Sequence, residues 1–123
     1  MEQRPAIPKA KVTTDTGQEE AFQNTVLRPI IKMKHDLLTA HTKHYIANKK
    51  QDFALLSLEK KLIYVTSCFE QDQTLRSELR GMVIGQYTVE EYENYGQMSN
   101  ALNKRIINII KERMVDHINI LSH

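Results

Sequence analysis

SLEKKLIYVTSCFEQDQTLRSELRGMVIG, residues 57–85, is the stretch on which the fold turns. Lys61, Tyr64, Cys68, Leu75, Leu79 and Met82 recur at helical spacing, and Leu62, Val65, Phe69 and Val83 widen that stripe into a face. Ser57 stands where a side-chain oxygen caps a first turn, and Gly85 where a helix stops. The polar run Glu70-Gln71-Asp72-Gln73-Thr74 interrupts the face. Continuous helix to about Ile84 returns the chain once and is the expectation. The alternative is a break near Asp72, which would cap a fresh helix and give four helices.

Upstream, Phe22, Val26, Ile30, Met33, Leu37, His41 and Tyr45 recur every three or four residues, a single apolar stripe ending near Asn48. Thr16-Gly17-Gln18-Glu19 offers a capping box at its start. Pro29 lies inside the stripe; it removes a backbone donor and crowds the Thr25 carbonyl, so a kink is expected near Thr25–Arg28. Residues 1–16 have two prolines and no apolar period and read as a mobile arm. Asn48 to Asp52 form a connection, and Phe53 to Leu56 a short turn packed on one end of the core.

Downstream, Thr88-Val89-Glu90-Glu91 is a second capping box. Tyr92, Tyr95, Ser99, Leu102, Ile106, Ile109, Ile110, Met114, Ile118 and Leu121 follow at helical spacing, and Ile107 adds a further apolar column. Three helices of roughly 30 residues would each be about 45 Å long. Short connections make successive helices antiparallel. The expected fold is therefore all-α: an up-down-up bundle of three long helices over residues 17–123, the first kinked at Pro29. No segment alternates apolar and polar residues as a strand would.

Composition narrows the function classes. The 123 residues carry 17 basic and 15 acidic side chains, too even a balance for a domain built mainly around nucleic-acid phosphates. Nucleic acid is accordingly disfavoured as a partner. The three glutamates opening the last helix would also repel a DNA backbone. Apolar runs stop at four residues, so no membrane span is expected. The N-terminus lacks a secretory h-region and the lone Cys68 has no intramolecular disulfide partner, which fits a cytoplasmic protein. Charge is uneven: residues 21–50 sum to +5, residues 81–100 to −3.

No glycine loop for phosphates, Gly-x-Ser-x-Gly elbow, Cys-x-x-Cys or His-Glu-x-x-His motif occurs. Gly81-Met82-Val83-Ile84-Gly85 reads as a close helix approach followed by a stop. Histidine is the chemically suggestive residue. His41 and His44 share a helix face, and in a parallel arrangement of first and third helices His117 would lie level with them. Three such imidazoles would suit Zn²⁺, although ordinary boundary histidines and no cofactor are the default. Arg76 and Arg80, four apart, could present a forked anion site, or pair with nearby glutamates. Cys68 reads as a small buried hydrophobe. Tyr87, Tyr92 and Tyr95 cluster near the second connection as an aromatic patch.

Three further strings, residues 20–29 (EAFQNTVLRP), 79–92 (LRGMVIGQYTVEEY) and 101–105 (ALNKR), resemble a family of small, all-helical, uncharacterised proteins of the Bacteroidetes type. Some members carry a glyoxalase label. The resemblance spans about residues 18–121 and implies a helical fold without an assignable activity, since a common metal glyoxalase needs a curved sheet. The expected function is a non-enzymatic interaction or scaffold protein that binds a protein partner or itself. Its self-association is expected through an exposed Ile106/Ile107/Ile110 face. The alternative is a small metal- or ligand-binding helical enzyme using the His41/His44/His117 end.

Overall fold

The computed structural model describes residues 15–49 and 52–122, with side chains from Gly17 onward. Every regular element among the described residues is helical, as the periodicity requires. None of these helices is long and apolar enough to cross a membrane. The arm expected over residues 1–16, up to its last two residues, lies outside the described residues. The Thr16–Glu19 capping box likewise rests on a side chain outside them.

The first apolar stripe forms three consecutive helices: α1 (Asp15–Phe22), α2 (Arg28–Met33) and α3 (His35–Ala47). Between α1 and α2 the chain widens into a π-helical turn, Gln23–Leu27, in which the Arg28 N–H reaches back five residues to the Gln23 carbonyl. Pro29 explains the widening. A proline ring clashes with the carbonyl four residues before it in a regular α-helix, and a looser turn relieves that crowding. The Thr25 hydroxyl donates to the Ala21 carbonyl at 2.7 Å within the same turn. At Lys34 only the local dihedrals depart from helix. The ladder continues across it, Lys34 N–H to Ile30 O and Leu38 N–H to Lys34 O, each 2.9 Å.

A 3₁₀ turn, Phe53–Leu55, leads into α4 (Leu58–Gln71), whose Lys60 N–H is capped by Ser57 Oγ at 3.3 Å. The middle stretch does break. Asp72 adopts extended dihedrals (φ −91°, ψ 104°), ends α4, and caps α5 (Gln73–Ile84) by accepting the Leu75 N–H at 3.1 Å. Gly85 closes α5 in a right-handed conformation, not the left-handed one common at helix stops. A Cβ there would stand 3.1 Å from the Gly81 carbonyl oxygen. Gly81 has open space around it, so the expected close helix approach at this residue is not made.

The last stripe divides as well, into α6 (Val89–Gly96) and α7 (Ser99–Asp116), followed by a 3₁₀ turn, Ile118–Ser122. The Thr88 capping box is formed on both sides: Thr88 Oγ1 accepts the Glu91 N–H at 3.1 Å and Glu91 Oε1 accepts the Thr88 N–H at 2.8 Å. Three uninterrupted rods are therefore not what the chain builds; each expected rod is interrupted.

Helix α7 is the hub. It packs on the π-helical turn, α2, α4, α5 and α6, and its Leu102, Ile106, Ile107, Ile109, Ile110 and Met114 are all buried. Leu27, Ile30, Ile31, Val65, Phe69, Leu75 and Leu79 close over it. Contacts advance in the same direction along the first and last segments. Phe22 meets Tyr87, His35 meets His117, and α3 packs on the Ile118–Ser122 turn.

Candidate functional site

The histidines do not converge. His41 Nε2 lies 3.0 Å from Glu78 Oε1 on α5, and His44 Nε2 lies 3.0 Å from Asn48 Nδ2. His117 instead meets His35, with ring centroids 5.0 Å apart, and its Nδ1 donates to the Arg113 carbonyl at 2.8 Å. The His41/His44/His117 constellation thus fails, for a reason of length. Its register counted helix from Thr88 without interruption. The eight residues of α6 do not extend the axis of α7, so His117 falls short by about 12 Å at 1.5 Å per residue, level with His35. Among the described residues no group of three or more His, Cys, Asp or Glu side chains is placed to hold a metal ion.

Around His35 the geometry is specific. Arg113 Nε donates to His35 Nδ1 at 3.2 Å. Burial, then the Arg113 guanidinium and His117, hold the His35 imidazole below its ordinary pKa, partly offset by Asp36. The ring is a neutral acceptor that ties α3 to the end of α7.

Arg76 and Arg80 each donate within their own surroundings. Arg76 Nη1 reaches the Glu70 carbonyl at 3.4 Å across the helix break, and Arg80 Nη2 reaches Ser77 Oγ at 3.3 Å. That arrangement matches helix-end fastening better than a shared anion fork. Ile106, Ile107 and Ile110 also depart from expectation. All three are buried within the chain's own core, because α7 has more neighbours than the two helices of a three-rod bundle. They offer no surface to a second copy.

One cluster was not foreseen. Tyr45, Tyr64, Cys68 and Asp72 line a groove of about 450 Å³ at the α4–α5 break. The Tyr45 hydroxyl donates to Asp72 Oδ2, Lys49 Nζ stands 3.6 Å from the same oxygen, and both tyrosine hydroxyls lie within hydrogen-bonding reach of the Cys68 thiol. Burial raises the pKa of Tyr45, Tyr64 and Cys68. The Tyr45 hydroxyl, and next the Leu75 N–H, hold the Asp72 carboxyl below the usual range. At neutral pH this is a set of protonated donors around one carboxylate. It suits fastening α3 to the break; a thiolate nucleophile would need the opposite electrostatics.

The aromatic patch does assemble. Phe22, Tyr87, Tyr95 and Tyr92 form a continuous row of ring contacts, with centroids 5.5, 5.4 and 5.8 Å apart in turn. Tyr95 is buried and its hydroxyl donates to Asn103 Oδ1 at 2.5 Å, which locks the row onto α7. The row ends at Tyr92, 56% exposed, one turn from Val89, 76% exposed. Glu90 and Glu93 flank them. On the other side of α6, Phe22, Val26 and Met98 line a groove of about 340 Å³ edged by Gln18, Glu91 and Asn94.

At the far end of the bundle, Lys43, His44, Lys49, Phe53 and Leu121 line a second groove, of about 640 Å³. Lys49 and Lys61 lie over the Tyr45 and Phe53 rings, at 4.5 and 5.6 Å from their centroids. Leu55 beside them is 81% exposed.

No family model, curated protein or solved structure matches the chain at a significant level.

Proposed function

We propose that this chain is a non-enzymatic helical interaction protein, of cytoplasmic type, that acts by binding protein surfaces and associates with copies of itself. The observation that carries the reading is the Val89/Tyr92 face of α6. Two large apolar side chains stand mostly exposed one turn apart, and the outer one is stacked on a buried, hydrogen-bonded tyrosine. A rigid aromatic anchor of this kind loses little rotamer freedom on binding, as interface hot spots require. The isoleucine face first expected to serve this purpose is consumed by the core, so the interaction surface is assigned to α6 instead. The rival reading, a metal- or ligand-binding enzyme at His41, His44 and His117, has no convergent side chains behind it among the described residues.

Sedimentation velocity from low to high micromolar protein tests the reading. A concentration-dependent rise in sedimentation coefficient that Tyr92→Ala weakens is the expected result. A strict monomer over the whole range would overturn it.

A further inference from the structure

The two ends of the bundle carry opposite charge. Helices α1 and α6 meet at one end, where Gln18 and Phe22 face Glu91 and Asn94. Their sequences, DTGQEEAF and VEEYENYG, hold six acidic residues and no basic one. At the other end, residues 41–61 hold Lys43, Lys49, Lys50, Lys60 and Lys61 against Asp52 and Glu59, a net +3. From Phe22 to Ile46 the intervening helix measures about 36 Å, several Debye lengths at physiological salt. The ends therefore act as separate patches of opposite sign.

Each end also presents apolar surface. Val89 and Tyr92 project at the acidic end, whereas Leu55 and the groove lined by Phe53 and Leu121 lie at the basic end. A symmetric pairing of two acidic ends would set Glu90 and Glu93 against their own copies, and like charges across an interface are penalised. Acidic end against basic end satisfies both the charge and the apolar surface.

We propose that copies of this chain associate head to tail, the Val89/Tyr92 end of α6 in one copy seating on the Lys43–Phe53–Leu121 end of the next. The proposal rests on the self-association reading above. Such a contact joins unlike surfaces, so it does not close at two copies and extends into chains. Salt opposes it: the Debye length shrinks from about 10 Å at 0.1 M to about 3 Å at 1 M ionic strength.

Charge reversal at each end is the test, read by sedimentation velocity at low salt on the full chain. Lys43 and Lys60 serve for the basic end, because Lys49 supports Asp72. The wild type is expected to sediment faster with concentration, without a plateau at dimer, and to lose this in 1 M salt. E90K/E93K alone and K43E/K60E alone are each expected to lose concentration dependence, and their equimolar mixture to recover it. That recovery also shows that both variants fold. Three results overturn the proposal in distinguishable ways. If K43E/K60E associates like the wild type while E90K/E93K does not, two acidic ends pair and only the head-to-tail mode fails. If reversal of Arg4, Lys9 and Lys11 to Glu abolishes association and K43E/K60E does not, the acidic end binds the N-terminal segment instead. If the wild type stays monomeric throughout, the self-association reading fails with it.

Discussion

Replacing Asp72 by alanine should lower stability by about 2 kcal/mol. The carboxylate caps α5 through the Leu75 N–H, and removing such a cap costs about 1 kcal/mol. It also accepts the Tyr45 hydroxyl. A hydrogen bond to a charged group contributes about 1.5–3 kcal/mol when buried, which is cut to about 1 here because Asp72 is a quarter exposed. The Lys49 pair, 43% and 26% exposed, adds little. For a domain of this size the loss corresponds to a melting temperature lower by about 10 °C. Urea unfolding followed by circular dichroism at 222 nm measures it directly. Asp72→Asn, which keeps an acceptor for both donors, should lose about half as much.

The carboxyl is held below its unfolded pKa, so its contribution is present above about pH 4 and fades as pH falls through the folded value. The gap between wild type and Asp72→Ala should therefore narrow on acidification. A variant as stable as the wild type, or more so because alanine joins α4 to α5, would refute the assignment of the break to Asp72.

Ile110→Ala, in the middle of the buried arc of α7, should cost about 3 kcal/mol in the same urea assay. A loss under about 1 kcal/mol would mean that the arc faces solvent or a partner after all. His35 should titrate below its unfolded value, because burial, Arg113 and His117 all disfavour its imidazolium. Its contribution is thus present above about pH 6.5 and lost as pH falls. Urea midpoints at several pH values from 7.5 to 5.5 should fall more steeply for the wild type than for His35→Gln, and parallel profiles would refute the depressed pKa.

Local signals in the sequence were readable where one residue suffices. Thr88 and Glu91 complete their capping box within four residues, and Ser57 caps α4 alone. The disturbance ahead of Pro29 was also legible, since its crowding of the Thr25 carbonyl is a local clash. Its form, a π-helical turn, depends on how the neighbouring segments accept the extra residue. Asp72 was identified as a capable cap, but whether it breaks the helix depends on Tyr45 and Lys49, which lie more than twenty residues away in sequence. Long-range register was illegible for the same reason. Spacing cannot show that α6 is set off from α7, and that offset alone moved His117 from His41 to His35. Nor could spacing count the neighbours of α7, so a broad apolar arc read as spare surface when it was the centre of the core. The aromatic row was visible as a cluster of tyrosines; that its outermost ring stays exposed is a product of packing.

The position of α7 also governs how the chain comes off the ribosome. Synthesis proceeds at about 5–20 residues per second, and domains ordinarily condense as their own contacts become available. Here Leu27, Ile30, Ile31, Val65, Phe69, Leu75 and Leu79 form one core with α7 residues made later than all of them. For several seconds the nascent polypeptide carries amphipathic helices whose apolar faces have no hub to close on. Its exposure to proteases and chaperones should peak just before α7 emerges, and a nascent chain stalled ahead of Ser99 should remain unfolded however long it waits.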